Sequence, residues 1–342
     1  MNIIVLAGGY SPERDVSLTS GSLIANALIE NGHRVCLLDV YEGLSSLPAD
    51  PDTLFRSTGR YRHTVSETVP DLEALKARCG NGDALIGKHV LEMCRRADIV
   101  FLALHGGIGE NGQLQATLDN YGIRYTGSGY IGSLLAMDKD ISKRLLRDAG
   151  VNTPDWVYFR AGVDSEDALI DKIGLPCVVK PASCGSSVGV SIVRTREELT
   201  EALASATAWD ARVLVEKMIE GRELTVGILD GVALPPVEII PDKGFYDYKN
   251  KYQGNTREVC PAEIPDEVTR AAYDMTRRGF DALRLGGYAR FDYILDTAGT
   301  LWCLEANTLP GMTPTSLLPQ AAAAVGMDYN SLCEKIIEVS LR

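Results

Sequence analysis

Residues 289–317, ARFDYILDTAGTLWCLEANTLPGMTPTSL, decide the fold of this chain. Two runs rich in apolar and aromatic residues, YARFDYIL and LWCLEANT, flank DTAGT, a composition typical of a turn. We predict an antiparallel hairpin whose turn centres on Ala298 and Gly299. In that register the opposing pairs are Asp292 with Glu305 and Arg290 with Asn307.

The predicted hairpin gathers oxygen ligands on one face. Side chains two residues apart on a strand share a face, so Arg290 and Asp292 would lie together beside Glu305 and Asn307. Two carboxylates and an amide oxygen suit Mg²⁺ that is bound jointly with substrate phosphates. The alternative is a solvated acidic face. The apolar neighbours instead favour a buried sheet, where unpaired charges are costly.

Length and composition limit the classes of function. The chain has 342 residues, which predicts two or three domains. Its net charge of -12 argues against nucleic acid or an anionic membrane surface as the main partner, so an anionic substrate would need local cations and a metal. No apolar run is long enough to span a membrane, and MNIIVLAGG predicts a first strand rather than a signal peptide. The eight cysteines form no CxxC pair, which favours a cytosolic chain with reduced thiols.

The first forty residues predict a strand, a glycine turn, a helix and a second strand, an order that resembles nucleotide-binding α/β units. The strand would cover Ile3–Leu6, and Ser11 would cap the helix, with Pro12 at its first position. Because AGGYSPE is not GxGxxG, a dinucleotide site is only weakly indicated. Glu13 either stabilises the helix dipole or contacts a ligand at the carboxyl end of the strand.

Two glycine-rich segments follow buried strands. IVFLALHGGIGENG predicts a strand, a turn and a helix start, and His105 at the strand end is either a site residue or a structural one. GLPCVVKPASCGSSVGVSIV predicts two strands joined by a loop whose backbone N–H groups could wrap a polyphosphate. Lys180 would add a point charge at the strand end. A plain Gly/Ser hairpin would give the same pattern.

Three further segments could complete a nucleotide site. VLVEKMIEGRELTVGIL predicts a strand, a turn and a strand, in which Glu216, Lys217 and Glu223 would either line an adenine and ribose pocket or form a salt-bridged edge. PDKGFYDYKNKYQGN is polar and aromatic without periodicity, which is typical of an active-site lid. MDKDISKRLLRDAG predicts an amphipathic helix, on which Lys139 and Lys143 would ordinarily be solvated.

Taken together, these segments resemble the D-alanine–D-alanine ligases of the ATP-grasp superfamily. The motifs that carry the resemblance are AGGYSPERDVSLTSG, HGGIGENGQLQ, MDKDISK, VVKPASCGSSVGV, VEKMIEGRELTV, GFYDYKNKY, ARFD and LEANTLPGMTPTSLLP. The resemblance covers nearly the whole chain, and residues 41–97 are the part that matches the family pattern least. The resemblance implies an α/β (α+β) ATP-grasp fold. An N-terminal open α/β domain, 1–128, would precede two ATP-grasp domains, 129–214 and 215–342, that clamp ATP.

The resemblance also implies roles for residues at matching positions. Those implied to bind ATP are Lys139, Lys180, Ser186, Ser187, Glu216, Lys217, Ile219, Glu223 and Lys251. Those implied to hold two Mg²⁺ ions, with Mn²⁺ as an alternative, are Asp292, Glu305 and Asn307. Glu13 would hold the ammonium of the first D-alanine in a hydrogen-bonded triad with Ser186 and Tyr252.

The remaining implied roles concern the second substrate and the reacting carbonyl. Arg290 and the backbone N–H of Gly311 would stabilise an oxyanion. Ser316, at a helix start that suits an anion, would receive the carboxylate of the second D-alanine beside Leu317. His105 would lie near the substrate. We have no family role for Cys184.

The implied activity is an ADP-forming ligation of two D-alanines through a D-alanyl phosphate, carried out by a cytoplasmic homodimer in peptidoglycan synthesis. D-Serine and D-lactate remain alternative second substrates, and a non-catalytic nucleotide-binding protein remains an alternative of another class. Tyr252 favours D-alanine over D-lactate. The sequence leaves open which group accepts the proton of the second D-alanine.

Overall fold

The computed structural model describes residues 1–65, 70–183, 185, 189–241 and 256–342. Within these ranges the strands form three sheets. The first sheet is parallel, in the order β2-β1-β3, and its strands are β1 (Asn2–Ala7), β2 (Arg34–Asp39) and β3 (Ile99–Leu102). Its neighbouring helices are α1 (Arg14–Glu30), α2 (Leu72–Cys79), α3 (Val90–Cys94) and α4 (Gln113–Asn120). The continuous apolar runs of β1 and β3 are buried, as expected for a parallel sheet covered on both faces.

The first helix begins later than the sequence predicts. Ser11 and Pro12 form a turn in which Ser11 Oγ accepts a hydrogen bond from the Glu13 backbone N–H at 3.2 Å. The helix starts at Arg14, so Glu13 is the N-cap residue and the assignment of Ser11 as N-cap is wrong. The hydroxyl bonds locally instead of to the first helical turn. This turn holds Glu13 at the carboxyl end of β1.

The second sheet is antiparallel, in the order β4-β7-β5-β6. Its strands are β4 (Trp156–Arg160), β5 (Cys177–Pro181), β6 (Ser191–Val193) and β7 (Arg212–Lys217). The helices of this region are α5 (Tyr130–Met137), α6 (Lys139–Asp148), α7 (Glu166–Ile173) and α8 (Arg196–Thr207). β5 and β6 pair directly, with Val178 opposite Ile192, so the prediction that the Gly/Ser loop joins two strands is confirmed.

In the part of the chain that the structure describes, the third sheet has the order β11-β10-β8-β12-β13, with β9 paired to β8. Its strands are β8 (Gly221–Leu229), β9 (Val232–Ala233), β10 (Val237–Ile240), β11 (Arg257–Val259), β12 (Tyr288–Asp296) and β13 (Leu301–Asn307). The accompanying helices are α9 (Asp266–Ala282), α10 (Leu317–Ala323) and α11 (Tyr329–Ser340). The last of them packs on α1, and His33 Nε2 lies 2.8 Å from the Glu334 carboxylate.

The two strands predicted in VLVEKMIEGRELTVGIL are both present, but they do not pair with each other. β7 belongs to the second sheet and β8 to the third, so the backbone at 218–220 crosses from one sheet to the other. The predicted division of the chain at 214/215 falls inside β7. The three-domain division stays a prediction, and we propose moving its second boundary to 218–220.

The hairpin of β12 and β13 has the predicted pairing of Asp292 with Glu305 and of Arg290 with Asn307. Its turn, however, centres on Ala298 alone, since Leu295 lies opposite Leu301. A register shift after Asp292 leaves Leu304 as an extra residue in β13. Such a bulge offsets the pairing by one residue and re-aims the side chains beyond it. The bulge thus restores the register that the sequence predicts.

Within the described residues, no helix is long and apolar enough to cross a membrane.

Candidate active site

Two neighbouring cavities share the side chains of Lys139, Arg290 and Glu305. One, of about 300 Å³, lies between the turns that follow β1 and β3 and the loop that follows β13. The other, of about 470 Å³, lies between the second and third sheets. We name them, after the roles predicted for their lining residues, the substrate cavity and the nucleotide cavity. The predicted ligand residues of the hairpin thus lie at the junction of two sites.

Asp292 is held by three neighbours. Arg290 Nε and Nη2 donate to its two carboxylate oxygens, each at 2.8 Å, which is a bidentate pair. Thr225 Oγ1 donates to Oδ1 at 2.8 Å, and Asn307 Nδ2 donates to Oδ2 at 2.9 Å. The side chains of Arg290 and Asp292 are 12% and 19% exposed, so this pair faces the cavities rather than bulk water.

Glu305 is paired with a lysine from another element. Lys139, at the start of α6, places Nζ 3.4 Å from Glu305 Oε2. Lys139 is buried, so the sequence-based expectation that it is solvated is wrong. A cation therefore lies beside each of these two carboxylates, Asp292 and Glu305. An anionic ligand or a metal bound there would interact with the same charges.

The oxygen ligands of the hairpin suit a magnesium ion that is shared with phosphates. Among the described residues no group of three or more His, Cys, Asp and Glu side chains could hold a metal. Asp292 and Glu305 supply two carboxylates, and Asn307 supplies the amide, so the three fit an ion that completes its shell with water and phosphate oxygens. They do not form a cage made by protein alone.

The nucleotide cavity contains a buried three-membered charge network. Glu216 Oε1 lies 2.7 Å from Lys180 Nζ, and Oε2 lies 2.8 Å from Lys143 Nζ, which also donates to Thr153 Oγ1 at 2.7 Å. Burial opposes ionisation of Glu216, but the two lysines outweigh it and hold its pKa at about 2. Burial lowers the pKa of Lys143 to about 8 despite the attraction of Glu216.

This network bears on two sequence-based interpretations. Of the two alternatives for Glu216, the salt-bridged one is present: both carboxylate oxygens accept from lysines, and the side chain supports Lys180 at the wall of the nucleotide cavity. Lys143 is 1% exposed, and its interpretation as a solvated lysine is wrong. The sequence feature that indicates a buried Lys143 is its spacing of four residues from Lys139, because residues four apart lie on one face of a helix.

The other walls of the nucleotide cavity come from both sheets. Val178 and Ile192 lie opposite each other in the second sheet, and Leu304 lies in the third. Ile219 belongs to the crossing segment. Apolar walls on two sides and exposed backbone at the crossing suit a flat heterocycle. The predicted contacts Lys217 and Glu223 also line this cavity.

The substrate cavity brings together other predicted residues, which are Glu13, His105, Arg290, Gly311, Ser316 and Leu317. Ser316 is the N-cap residue of α10, and its hydroxyl accepts from the Thr313 backbone N–H at 3.1 Å. A Cβ on Gly311 would lie 3.0 Å from Ser316 Oγ, a tight contact, so glycine lets the loop approach the hydroxyl without a shift of either group. Burial lowers the pKa of His105, and its buried Nε2 has no hydrogen-bond partner in the described ranges.

Glu110 also lines the substrate cavity, and the sequence analysis missed it. Its Oε2 accepts from the Gly106 backbone N–H at 2.7 Å. Burial, together with the negative charge of Glu13, raises the pKa of Glu110 to about 7. The sequence feature that could have identified Glu110 is a carboxylate in a glycine-rich turn after a buried strand. The same feature identified Glu13 as a candidate.

Several predicted residues lie outside the described ranges. They are Cys184, Ser186, Ser187, Lys251 and Tyr252. The predicted lid, 241–260, is described only at 241 and 256–260.

Comparison with known proteins identifies the family. Residues 2–128 match the D-ala D-ala ligase N-terminus family, and residues 145–338 match the D-ala D-ala ligase C-terminus family. The chain belongs to the D-ala D-ala ligase family. It is 42% identical to a D-alanine–D-alanine ligase of Pediococcus pentosaceus, over 98% of this chain and 97% of that one. It is 39% identical to the corresponding enzyme of Gloeobacter violaceus, over the full length of both chains.

Structural similarity agrees with this assignment. The D-alanine–D-alanine ligase of Bacillus anthracis, solved in complex with ATP, has a TM-score of 0.78 and 33% identity to this chain. The match covers all of this chain and 98% of that one. This D-ala D-ala ligase family member therefore has the ATP-grasp fold, and the predicted fold class is confirmed.

The charge network predicts a cost for removing Lys143. Replacing it, as Lys143→Met, should lower the free energy of unfolding by about 3 kcal/mol at pH 7, because Glu216 loses one of two buried cations. The loss should be measured by urea unfolding. The Glu216 carboxylate has a lowered pKa, so its contribution is complete above its unfolded pKa of 4.5 and is lost as the pH falls through about 2. The difference between the two proteins should therefore shrink as the pH approaches 2.

Lys172→Met is the matched control, because Lys172 is exposed on α7. It should change the free energy of unfolding by less than about 0.5 kcal/mol. Equal losses in the two variants, or a Lys143→Met difference that does not depend on pH, would contradict the network.

Proposed function

We propose that this chain joins two D-alanines in an ATP-dependent, ADP-forming reaction that supplies peptidoglycan synthesis. The observation that carries the proposal is the shared wall of the two cavities. Arg290, Glu305 and Lys139 border both, so a phosphate of a nucleotide and a carboxylate of a substrate can meet there. A binding-only protein would have little use for paired carboxylates and cations at that junction.

The first step activates a carboxylate, which is a poor acylating agent at neutral pH. The carboxylate of the first D-alanine attacks the γ-phosphate of ATP and forms an acyl phosphate with release of ADP. The transferring phosphoryl group carries spread negative charge, so positioning and electrostatics dominate. Lys180, held by Glu216, and Lys139, beside Glu305, supply fixed positive charge.

The second step forms the peptide bond. The amine of the second D-alanine attacks the acyl carbon, and phosphate leaves. Arg290 and the backbone N–H of Gly311 line the cavity where the tetrahedral oxyanion would develop. Glu13 would bind the ammonium of the first substrate, while the Ser316 hydroxyl would bind the carboxylate of the second. The buried position of Glu13 favours a single paired cation over water.

We propose Mg²⁺ as the cofactor, with Mn²⁺ as an alternative and with two ions as the family resemblance implies. Asp292, Glu305 and Asn307 would hold it. When bound, it would neutralise phosphate charge during transfer. Arg290 and Lys139 keep the carboxylates in place, and the oxygen-only donor set selects hard cations.

The second substrate is proposed to be D-alanine. D-Lactate lacks the amine, and a site built for an amine would leave polar groups unpaired when lactate binds, which can discriminate strongly. D-Serine keeps the amine and adds only a hydroxyl, so it is harder to exclude. We also propose that the reaction takes place in the cytoplasm, where its ATP is made.

Product analysis tests the function directly. ADP release should require both Mg²⁺ and D-alanine, and mass spectrometry should identify D-alanyl-D-alanine as the main product. With D-alanine, D-serine and D-lactate in competition at pH 7, the dipeptide should predominate. ADP release without a D-amino acid would support the binding or hydrolysis alternative. A predominance of D-alanyl-D-lactate would overturn only the choice of second substrate.

We propose a homodimer as well. Tyr130, Ile131 and Leu134 lie within two turns of α5 and are exposed apolar side chains, which supports a protein interface there. Ile131→Glu should convert a dimer into a monomer in sedimentation experiments, because it would bury a charge at the interface. Val232→Glu, at an exposed position on β9, is the matched control and should stay dimeric. A dimer that survives Ile131→Glu would move the interface elsewhere.

A further inference from the structure

Peptide-bond formation leaves one chemical requirement unassigned. A second D-alanine enters mostly as a zwitterion, and its ammonium must lose a proton before nitrogen can attack. The acceptor must lie in the substrate cavity and be unprotonated near neutral pH. Among the described residues, the charged or titratable side chains of that cavity besides Glu110 are Glu13, His105, Lys139, Glu258, Arg290 and Glu305.

Most of these groups are already engaged or have the wrong charge, and burial lowers the pKa of His105, which makes it a weaker proton acceptor. Lys139 and Arg290 are cations, and Glu305 is paired with Lys139. Glu258 accepts a hydrogen bond from Gln320 on α10. Glu13 is assigned to the ammonium of the first substrate, and its pairing with that charge would weaken it as a base.

Glu110 has a fixed position and an available oxygen. Oε2 accepts the Gly106 N–H at 2.7 Å, and no described residue hydrogen-bonds to Oε1. Gly106 has φ 67° and ψ -178°, a conformation open essentially to glycine alone. A Cβ at Gly106 would lie 3.2 Å from Glu13 Oε2, so this glycine lies close to both carboxylates.

We propose that Glu110 is the general base that accepts a proton from the ammonium of the second amino acid. The inference rests on the proposed ligase function. One ammonium proton passes to the Glu110 carboxylate, and the nitrogen lone pair forms the C–N bond. The C–O bond to phosphate breaks, and its electron pair leaves with the phosphate, which takes the second nitrogen proton. Glu110 then returns its proton to water.

The surroundings of Glu110 suit this role. Burial first, and then the charge of Glu13, raise its pKa to about 7, near the pH at which the reaction must run. Glu305 acts in the same direction, whereas Arg290 and the Gly106 N–H oppose it. The ideal general base has a pKa near the operating pH. The rate of dipeptide formation should therefore rise as the pH increases through about 7.

Glu110→Gln tests the proposal, because glutamine can still accept the Gly106 N–H but cannot accept a proton. Dipeptide formation should fall by roughly 10² to 10⁴-fold, and the dependence on a group with a pKa near 7 should disappear. Hydroxylamine, which is neutral at pH 7, can replace the second D-alanine without needing a base. The variant should therefore still form D-alanyl hydroxamate from ATP and D-alanine at a rate close to that of the unchanged protein.

The outcomes are separable. Hydroxamate without dipeptide in Glu110→Gln supports the proposal. Normal dipeptide formation in the variant, with an unchanged pH profile, overturns it. Loss of both products also overturns it, because Glu110 would then act before amine attack or in folding. If the unchanged protein forms neither product, the ligase function itself fails. Glu92→Gln, an exposed carboxylate on α3, is the matched control and should keep both activities.

Discussion

The register of β12 against β13 is the constraint on which the rest of the site depends. Phe291 and Tyr293 are buried on one face of β12, and the Tyr293 hydroxyl lies 2.8 Å from Thr276 Oγ1 of α9. Arg290 and Asp292 therefore point to the other face, towards the cavities. A slip of one residue would bury the charges and expose the aromatic rings. The same apolar packing that stabilises the sheet thus positions the carboxylates that we propose as metal ligands.

Local positive charge lets an acidic chain accept an acidic substrate. The net charge is -12, yet Lys139, Lys180 and Arg290 line two adjoining cavities, and Lys143 pairs with Glu216 behind the wall of one of them. Each has a carboxylate partner, so no bare cation has to be buried. The partners come from different elements, which joins α6, the second sheet and the hairpin in one electrostatic network. Binding of phosphates would rearrange pairs that already exist rather than create a charge cluster.

The parts predicted from sequence are those with a strong local signal. Runs rich in apolar and aromatic residues on either side of turn residues predict β12 and β13, and the predicted pairing of Asp292 with Glu305 is present. Three features depend on tertiary context and were missed or misjudged. The bulge at Leu304 compensates for a turn that is one residue tighter than predicted. The sequence pattern predicts a solvated Lys143, but the side chain is buried against Glu216 of β7. The strands β7 and β8 belong to two different sheets. Local patterns alone do not fix these long-range contacts.

The most direct test of this account is the turnover of Glu305→Gln across a range of Mg²⁺ concentrations, measured as ADP production with D-alanine. The substitution keeps the size of the side chain but removes one of the two hairpin carboxylates. We predict a loss of about 100-fold or more in turnover, with a urea unfolding midpoint close to that of the unchanged protein. Near-normal ADP production at ordinary Mg²⁺ concentrations would contradict the assignment of the hairpin as the metal and phosphate site.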